Sequence, residues 1–408
     1  MRTFAELSPS PRTILTPGPV EVDPRVLRAL SYPILGQFDP EFTELMNDTM
    51  EMLRGLFRTD NRWAYPVDGT SRSGIEAVLN SLIEPGDRVL VPIYGRFGHL
   101  LHEIAERCGA EVSTIEAEWG TVFEPEEVIA AIKRTKPQIV AIVHGETSTG
   151  RMQPLEEIGR ACRELDALLV VDAVATIGGV PVDTDAWQLD AVIGGTQKCL
   201  SVPSGMAPIT YNDRAERKLL ARKRVERGIR PPGYAEPEEP RRPIQSNYLD
   251  LAQLQDYWSP ARLNHHTEMT SMLYGLREGL RILHAEGLEA RFARHRLHES
   301  ALVAGLTAMG VSLYGDPACK MPVVTCVTIP DGIDGESVRS LLLEQFGIEI
   351  AGSFGPLKGK IWRIGTMGYS CSRKNVLHFL GAFEAVLLRH GFKLPAGAAL
   401  QAALDVYA

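Results

Sequence analysis

The chain has 408 residues, with 43 Lys and Arg against 51 Asp and Glu, a formal net charge of −8, and 44% hydrophobic residues. That length suits two or three ordinary domains with a large core, and this balance of apolar and charged residues excludes disorder as the main state. The acidic excess argues against nucleic-acid binding, no run approaches the ~18 apolar residues of a membrane helix, and the first twenty residues lack the apolar stretch of a secretory signal.

Cys108, Cys162, Cys199, Cys319, Cys326 and Cys371 are scattered without a C-x-x-C spacing. Reduced thiols in a cytoplasmic protein are expected, and no metal ligands.

In chain order, residues 1–20 are expected to form an extended arm, because Pro9, Pro11, Pro17 and Pro19 cannot sit inside a helix. Glu21 to Phe57 reads mostly as helix, broken around Tyr32–Pro40. Short apolar, β-branched runs then recur at Arg88–Pro92, Glu111–Ile115, Gln138–Val143, Leu168–Asp172 and Ala191–Gly194. Helical patterns lie between them at Gly74–Leu82, Leu100–Cys108, Pro125–Lys133 and Leu155–Leu165. This alternation predicts βαβ units and a mostly parallel sheet covered on both faces. Asn212–Tyr248, rich in Arg, Glu and Pro, reads as a solvated helix and a surface loop. Helices are expected at Thr267–Glu286 and Leu288–Met309. A second α+β unit follows, with Val323–Ile329, Gly335–Gln345, Ile348–Ile350, Ile361–Ile364 and Arg373–Leu388. The tail Pro395–Ala408 is open between a short helix and a frayed end. The expected division is an arm (1–20), a large domain (21–270) and a small domain (271–408).

Several chemistries lack their signature. No G-x-G-x-x-G follows a strand, and Gly352–Lys360 resembles a P-loop only faintly, with Ile361 where Ser or Thr would bind magnesium. The adjacent pair His265-His266 would diverge on a helix, and no G-x-S-x-G elbow is present.

Four polar features sit instead at strand ends or a helix start, where open α/β sheets collect their ligands. Asp68-Gly-Thr-Ser-Arg-Ser-Gly74 offers free N–H groups, hydroxyls and Arg72 at a helix N-terminus, which suits a phosphate; an ordinary capped helix would read the same. Asp172 closes a buried apolar strand, which is costly unless a cation such as a protonated ring nitrogen needs its charge, or it serves as an N-cap. Lys198 follows a strand among small residues, poised for imine chemistry if desolvated, or else snorkelling to the surface. Arg363 lies in an apolar strand of the second unit and calls for a carboxylate, from substrate or from the protein. Phosphate cradle, ring-nitrogen partner, amine and carboxylate clamp together describe a pyridoxal phosphate enzyme acting on an amino acid.

With these features, Thr16-Pro-Gly-Pro19, His144-Gly-Glu-Thr-Ser-Thr-Gly150, Gly195-Thr-Gln-Lys198, His265-His-Thr267 and Arg363-Ile-Gly365 make the sequence similar to the class V aminotransferases of fold type I, in particular the alanine/serine–glyoxylate aminotransferase group, from about Ile14 to Leu388. The resemblance implies an α/β fold with a large domain of mostly parallel sheet covered by helices and a smaller C-terminal α+β domain. It implies that Lys198 tethers the cofactor and acts as general base and then acid, with Asp172 on the ring nitrogen. Val174 and Phe97 would pack on the two ring faces, and Thr147 would lie near the ring hydroxyl. Thr70, Ser71, Arg72 and Gln197 would hold the phosphate, Arg363 the substrate carboxylate. Thr267 would reach the phosphate of a neighbouring subunit in a homodimer with shared sites. Ping-pong exchange between small amino and oxo acids follows.

Two positions depart from the group. Asn264 stands where many members carry Tyr, and the early active-site loop reads Leu35-Gly36-Gln37. A carboxamide both donates and accepts, so a pair of them at the substrate mouth complements a ureido group better than a methyl. The pair resembles the ureidoglycine–glyoxylate aminotransferases of purine breakdown, implying (S)-ureidoglycine plus glyoxylate giving oxalurate plus glycine. The alternatives are alanine/serine–glyoxylate exchange, with Gln37 and Asn264 merely satisfying each other, or a class V lyase such as a cysteine desulfurase. The last would call for a His where Phe97 stands.

Overall fold

The computed structural model describes residues 4–230, 232–235 and 241–408. The expected loop over 212–248 therefore falls partly, at 231 and 236–240, outside the described residues, as do the first three residues of the arm.

Seven strands form the main sheet: β1 (Trp63–Gly69), β2 (Arg88–Ile93), β3 (Glu111–Glu116), β4 (Ile139–Val143), β5 (Leu168–Asp172), β6 (Ala191–Ile193) and β7 (Gly205–Tyr211). Their order is β1-β7-β6-β5-β4-β2-β3. All pairings are parallel except the two made by β7. Every residue of β4 and β5 is buried, which explains their unbroken apolar runs. Helices Ser71–Leu82, Arg96–Arg107, Pro125–Thr135 and Glu156–Glu164 follow β1 to β4.

β1 and β7 are not evident in the sequence, since each contains a proline, and proline removes a ladder donor. The register resolves this: Pro66 and Pro208 are direct partners. Pro208 O faces β6, where it accepts from Gly194 N at 2.7 Å. The prolines thus meet at a position where the β1–β7 ladder asks neither for an N–H.

The second unit pairs β8 (Val324–Thr328) with β9 (Ile361–Gly365), antiparallel. Helices Leu288–Ala308, Gly335–Phe346 and Arg373–Arg389 accompany them, and Leu302, Leu306, Val338, Trp362, Phe379 and Phe383 are buried in its core. The tail is a helix, Ala398–Tyr407, which buries Ala399 and Ala403 and sets the Tyr407 hydroxyl 2.8 Å from His298 Nδ1. The arm is extended. Thr13–Ile14 pairs with Ile348–Glu349, Leu15 enters the second core, and Gly365 N donates to Leu15 O at 2.7 Å.

We propose the three-part division 1–20, 21–270 and 271–408, with helix Thr270–Glu286 as connector: it opens the small unit in chain order yet buries Leu273, Leu276, Leu280 and Leu283 in the large core. Among the described residues no helix is long and apolar enough to cross a membrane, and all six cysteines are unpaired.

Candidate active site

A cavity of about 290 Å³ opens beside the carboxyl ends of β1, β5 and β6, the place open α/β sheets reserve for ligands. Thr70, Ser71 and Arg72 line it where helix Ser71–Leu82 begins. Thr70 is the N-cap, but its hydroxyl makes no capping bond, so apart from Ser73 N, which donates to Thr70 O at 2.8 Å, the first-turn N–H groups remain for an anion. Ser71 Oγ donates to Gln197 Oε1 at 2.9 Å, joining this turn to the segment after β6. Gly195 permits that contact: an added Cβ would lie 2.4 Å from Ser71 Oγ and 2.7 Å from Val174 Cγ1.

Asp172 ends β5 with its carboxylate in the cavity wall, accepting one bond at 3.0 Å from Val174 N. Burial pushes it up to about 6. A single amide is weak compensation for a buried anion, so the site favours a cationic partner there. Val174 and Phe97 also line the cavity, as does Thr147. Glu146, which the sequence reading left unassigned, holds these last two loops together. Its Oε2 accepts from Phe97 N at 2.8 Å and its Oε1 from Ser148 N and Oγ at 2.9 and 2.6 Å. Gly95 makes room for it, since a Cβ there would stand 2.3–2.8 Å from Glu146 Cγ, Cδ and Oε2.

Lys198 is buried. Burial, and then the Arg363 charge, lower its amine from 10.5 to about 8, bringing an uncharged, nucleophilic amine within reach of neutral pH. Its Nζ donates to Pro17 O. Gly18, at φ +103, roofs it so closely that a Cβ would lie 2.4–2.6 Å from Lys198 Cδ, Cε and Nζ. The arm's Thr-Pro-Gly-Pro thus forms the lid over the lysine, a role its sequence did not disclose.

Arg363 is buried in β9, and burial lowers its guanidinium to about 10. Nη1 donates to Thr147 O at 3.0 Å and Nε to Gly352 O at 2.6 Å, leaving the Nη2 hydrogens for a ligand. Phe354 lies under two guanidinium groups, Arg363 at 4.7 Å and Arg96 at 4.0 Å. Arg96, a cavity residue not singled out in the sequence, precedes Phe97 in the Gly95–Gly98 turn.

Gly36, Gln37, Asn264 and Thr267 do not line this cavity in the single chain. Gln37 Nε2 donates to Asn264 Oδ1 at 3.1 Å, so the two carboxamides do bond each other. They lie among exposed apolar side chains: Tyr32 is 54% exposed, Ile34 64% and Phe38 79%.

The assembled donors fit a flat ring carrying a phosphate and a protonated nitrogen: an N-terminal anion cradle, a carboxylate short of a partner, two apolar faces and a desolvated amine. Comparison with known proteins agrees. A family model described as aminotransferase class-V matches residues 34–228. The (S)-ureidoglycine–glyoxylate transaminase of Bacillus subtilis strain 168 is 69% identical over 98% of this chain and 97% of its own. The alanine–glyoxylate aminotransferase of Callithrix jacchus is 35% identical over 91% of this chain and 86% of its own. The crystal structure of ureidoglycine–glyoxylate aminotransferase from Bacillus subtilis superposes with a TM-score of 0.94 at 67% identity, covering 99% of this chain and 100% of that one. The chain belongs to the class-V aminotransferases.

Proposed function

We propose that this chain moves the amino group of (S)-ureidoglycine to glyoxylate, giving oxalurate and glycine, with pyridoxal phosphate held in the cavity. The observation that carries the substrate assignment is the 69% identity, over nearly the full chain, to the Bacillus subtilis enzyme named for that reaction. When bound, the cofactor supplies an aldehyde that takes up an amine and a ring that accepts the electron pair left by the departing α-proton. The protein's own groups do the rest. Thr70, Ser71, Arg72 and Gln197 hold the phosphate. Val174 and Phe97 would pack against the ring, Thr147 would lie on the side of its hydroxyl, and Asp172 would keep its nitrogen protonated, recovering in return the cation its buried carboxylate lacks. Lys198 would tether the cofactor at rest. Its Nζ would take the α-proton and later return it, which an amine lowered to about 8 does well near neutral pH. Arg363 Nη2 binds the substrate α-carboxylate, fixed in direction by the two carbonyls that already hold Nε and Nη1.

The remaining residues act in a homodimer. The apolar surface around Gly36 and Gln37 is the kind a second copy covers. On that reading the Gln37–Asn264 pair and Thr267 enter the partner's cavity, Gln37 and Asn264 on the ureido group and Thr267 on the phosphate. The unpaired thiols favour the cytoplasm. The test is a panel of ureidoglycine, serine and alanine as donors with glyoxylate as acceptor. Ureidoglycine should give the highest kcat/KM. Gln37→Ala or Asn264→Ala should each lower it about 10-fold, the worth of one or two neutral hydrogen bonds, with little change for alanine. Serine or alanine exceeding ureidoglycine in the native enzyme would refute the assignment.

A further inference from the structure

Two carboxylates and an imidazole next to the site have no part in the chemistry above. Asp68 is the penultimate residue of β1, while His266 and Glu268 precede helix Thr270–Glu286. Asp68 and Glu268 are each 4% exposed. No carboxylate oxygen of the pair makes a well-formed hydrogen bond among the described residues, the Met269 N–H beside Glu268 being a donor in reach, and the buried Nε2 of His266 has no hydrogen-bond partner. That Nε2 stands 3.2 Å from Asp68 Oδ2 and 3.7 Å from Glu268 Oε2.

The neighbouring histidine fixes which nitrogen carries the hydrogen. His265 Nε2 faces the Asn247 carbonyl oxygen at 3.2 Å, and a carbonyl only accepts, so Nε2 of His265 donates. In a neutral ring His265 Nδ1 is then an acceptor, and His266 Nδ1, 2.8 Å away, donates to it. A neutral His266 consequently presents its Nε2 lone pair to two buried carboxylates. Three electron-rich ligands converge with nothing positive between them, which a low-dielectric site does not tolerate unless two positive charges, as protons or as one divalent ion, fill the gap. Ligand atoms about 2.1 Å from a common centre at right to trigonal angles lie roughly 3.0–3.6 Å apart, close to the two separations observed. The three ligand atoms all fall within 4.8 Å of one another.

We propose that Asp68, His266 and Glu268 bind one divalent cation of the Mn²⁺ or Zn²⁺ type, with His265 as the outer partner that sets the ring of His266. Two carboxylates and an imidazole without a thiolate suit these ions, and a hydrogen bond to the distal ring nitrogen is the usual support of a metal-bound histidine. The ion pins the end of β1, two residues before Thr70, to the segment that carries Thr267. It therefore braces the Thr70 and Thr267 hydroxyls without touching substrate. No spacing signature announces such a site, because its ligands come from strand and loop about 200 residues apart in sequence.

The proposal does not depend on the ureidoglycine reading, and its test does not require turnover. Chelator-treated holoenzyme is titrated with Mn²⁺ while the free ion is followed by electron paramagnetic resonance, with Zn²⁺ as competitor. One site per chain is expected, with a rise in melting temperature on filling and an anomalous peak between the three residues in Mn²⁺-soaked crystals. The isosteric variants Glu268→Gln and Asp68→Asn should each weaken binding more than about 10-fold. If Asp68→Asn does not fold, native protein against Glu268→Gln decides. A native enzyme with no stoichiometric site, or a Glu268→Gln variant that binds as well, overturns the proposal. Protons then neutralise the cluster, as the upward push of burial and Asp68 on the Glu268 carboxyl would have it.

Discussion

Gly18→Ala isolates the contribution of the arm to catalysis. The added methyl would lie 2.4 Å from Lys198 Cδ and 2.6 Å from both Cε and Nζ, where unstrained carbon contacts are about 3.5–4.0 Å. Arm and lysine must therefore separate by roughly 1 Å. The arm does not yield freely, because Gly365 N holds Leu15 O at 2.7 Å and Thr16 Oγ1 donates to Pro19 O at 2.7 Å. Much of the displacement falls on Nζ, and a misplacement of about 1 Å at a reacting atom costs on the order of 100-fold. The left-handed φ of +103 adds about 1–3 kcal/mol of strain for an alanine. The assay is kcat at saturating donor and acceptor, with urea unfolding in parallel. Gly391→Ala is the control: it too is left-handed, at φ +79, but faces open space, so it should lose stability and keep kcat. If Gly18→Ala retains kcat within about twofold of the native enzyme, the lid over Lys198 has no catalytic consequence and the reasoning fails.

Two further outcomes follow from the buried charges. Lys198 is lowered from 10.5 to about 8 in the folded protein, so between those values the unfolded chain binds more protons and stability rises with pH. In cofactor-free protein this contributes about 3 kcal/mol across the window; urea unfolding of native and Lys198→Met protein at both ends should differ by that slope, and parallel curves would contradict it. Glu146→Ala strips the acceptor from Phe97 N and from Ser148 N and Oγ. Each orphaned buried donor costs about 1–3 kcal/mol, so a marked fall in both melting temperature and kcat/KM is expected, and a fully stable, fully active variant would remove Glu146 from its positioning role.

The fold was legible wherever local pattern and burial agree. Strands β4 and β5 are apolar at every position because both faces are covered, and their limits were read to within a residue. The strands at one end of the sheet are illegible for a specific reason: Pro66 and Pro208 each argue against a strand in isolation, and only their cross-strand pairing shows that the β1–β7 ladder needs neither as a donor. Helix Ser71–Leu82 begins three residues before the expected Gly74, since the hydroxyl-rich turn read as a loop is already the first helical turn. That early start is what aims its N–H groups into the cavity.

Within the candidate site the same division holds between local and distant causes. Asp172, Lys198 and the Thr70–Arg72 turn announce themselves because each sits at the end of an element whose apolar run is visible in sequence. Glu146, Gly18 and the Asp68–His266–Glu268 cluster do not, because their partners are remote: Lys198 and Pro17 meet across 181 residues. The carboxamides Gln37 and Asn264 stand out by residue type, yet only the fold joins them across 227 residues. One of these distant contacts links the parts of the mechanism. Gly365, two residues beyond Arg363, donates to Leu15, two residues before Pro17. The backbone that orients the Arg363 guanidinium is thus hydrogen-bonded to the backbone that roofs the lysine. On the proposed roles of Arg363 and Lys198, a displacement of β9 would therefore pull on the lid over Nζ through that bond, so carboxylate binding and proton transfer would share one mechanical support.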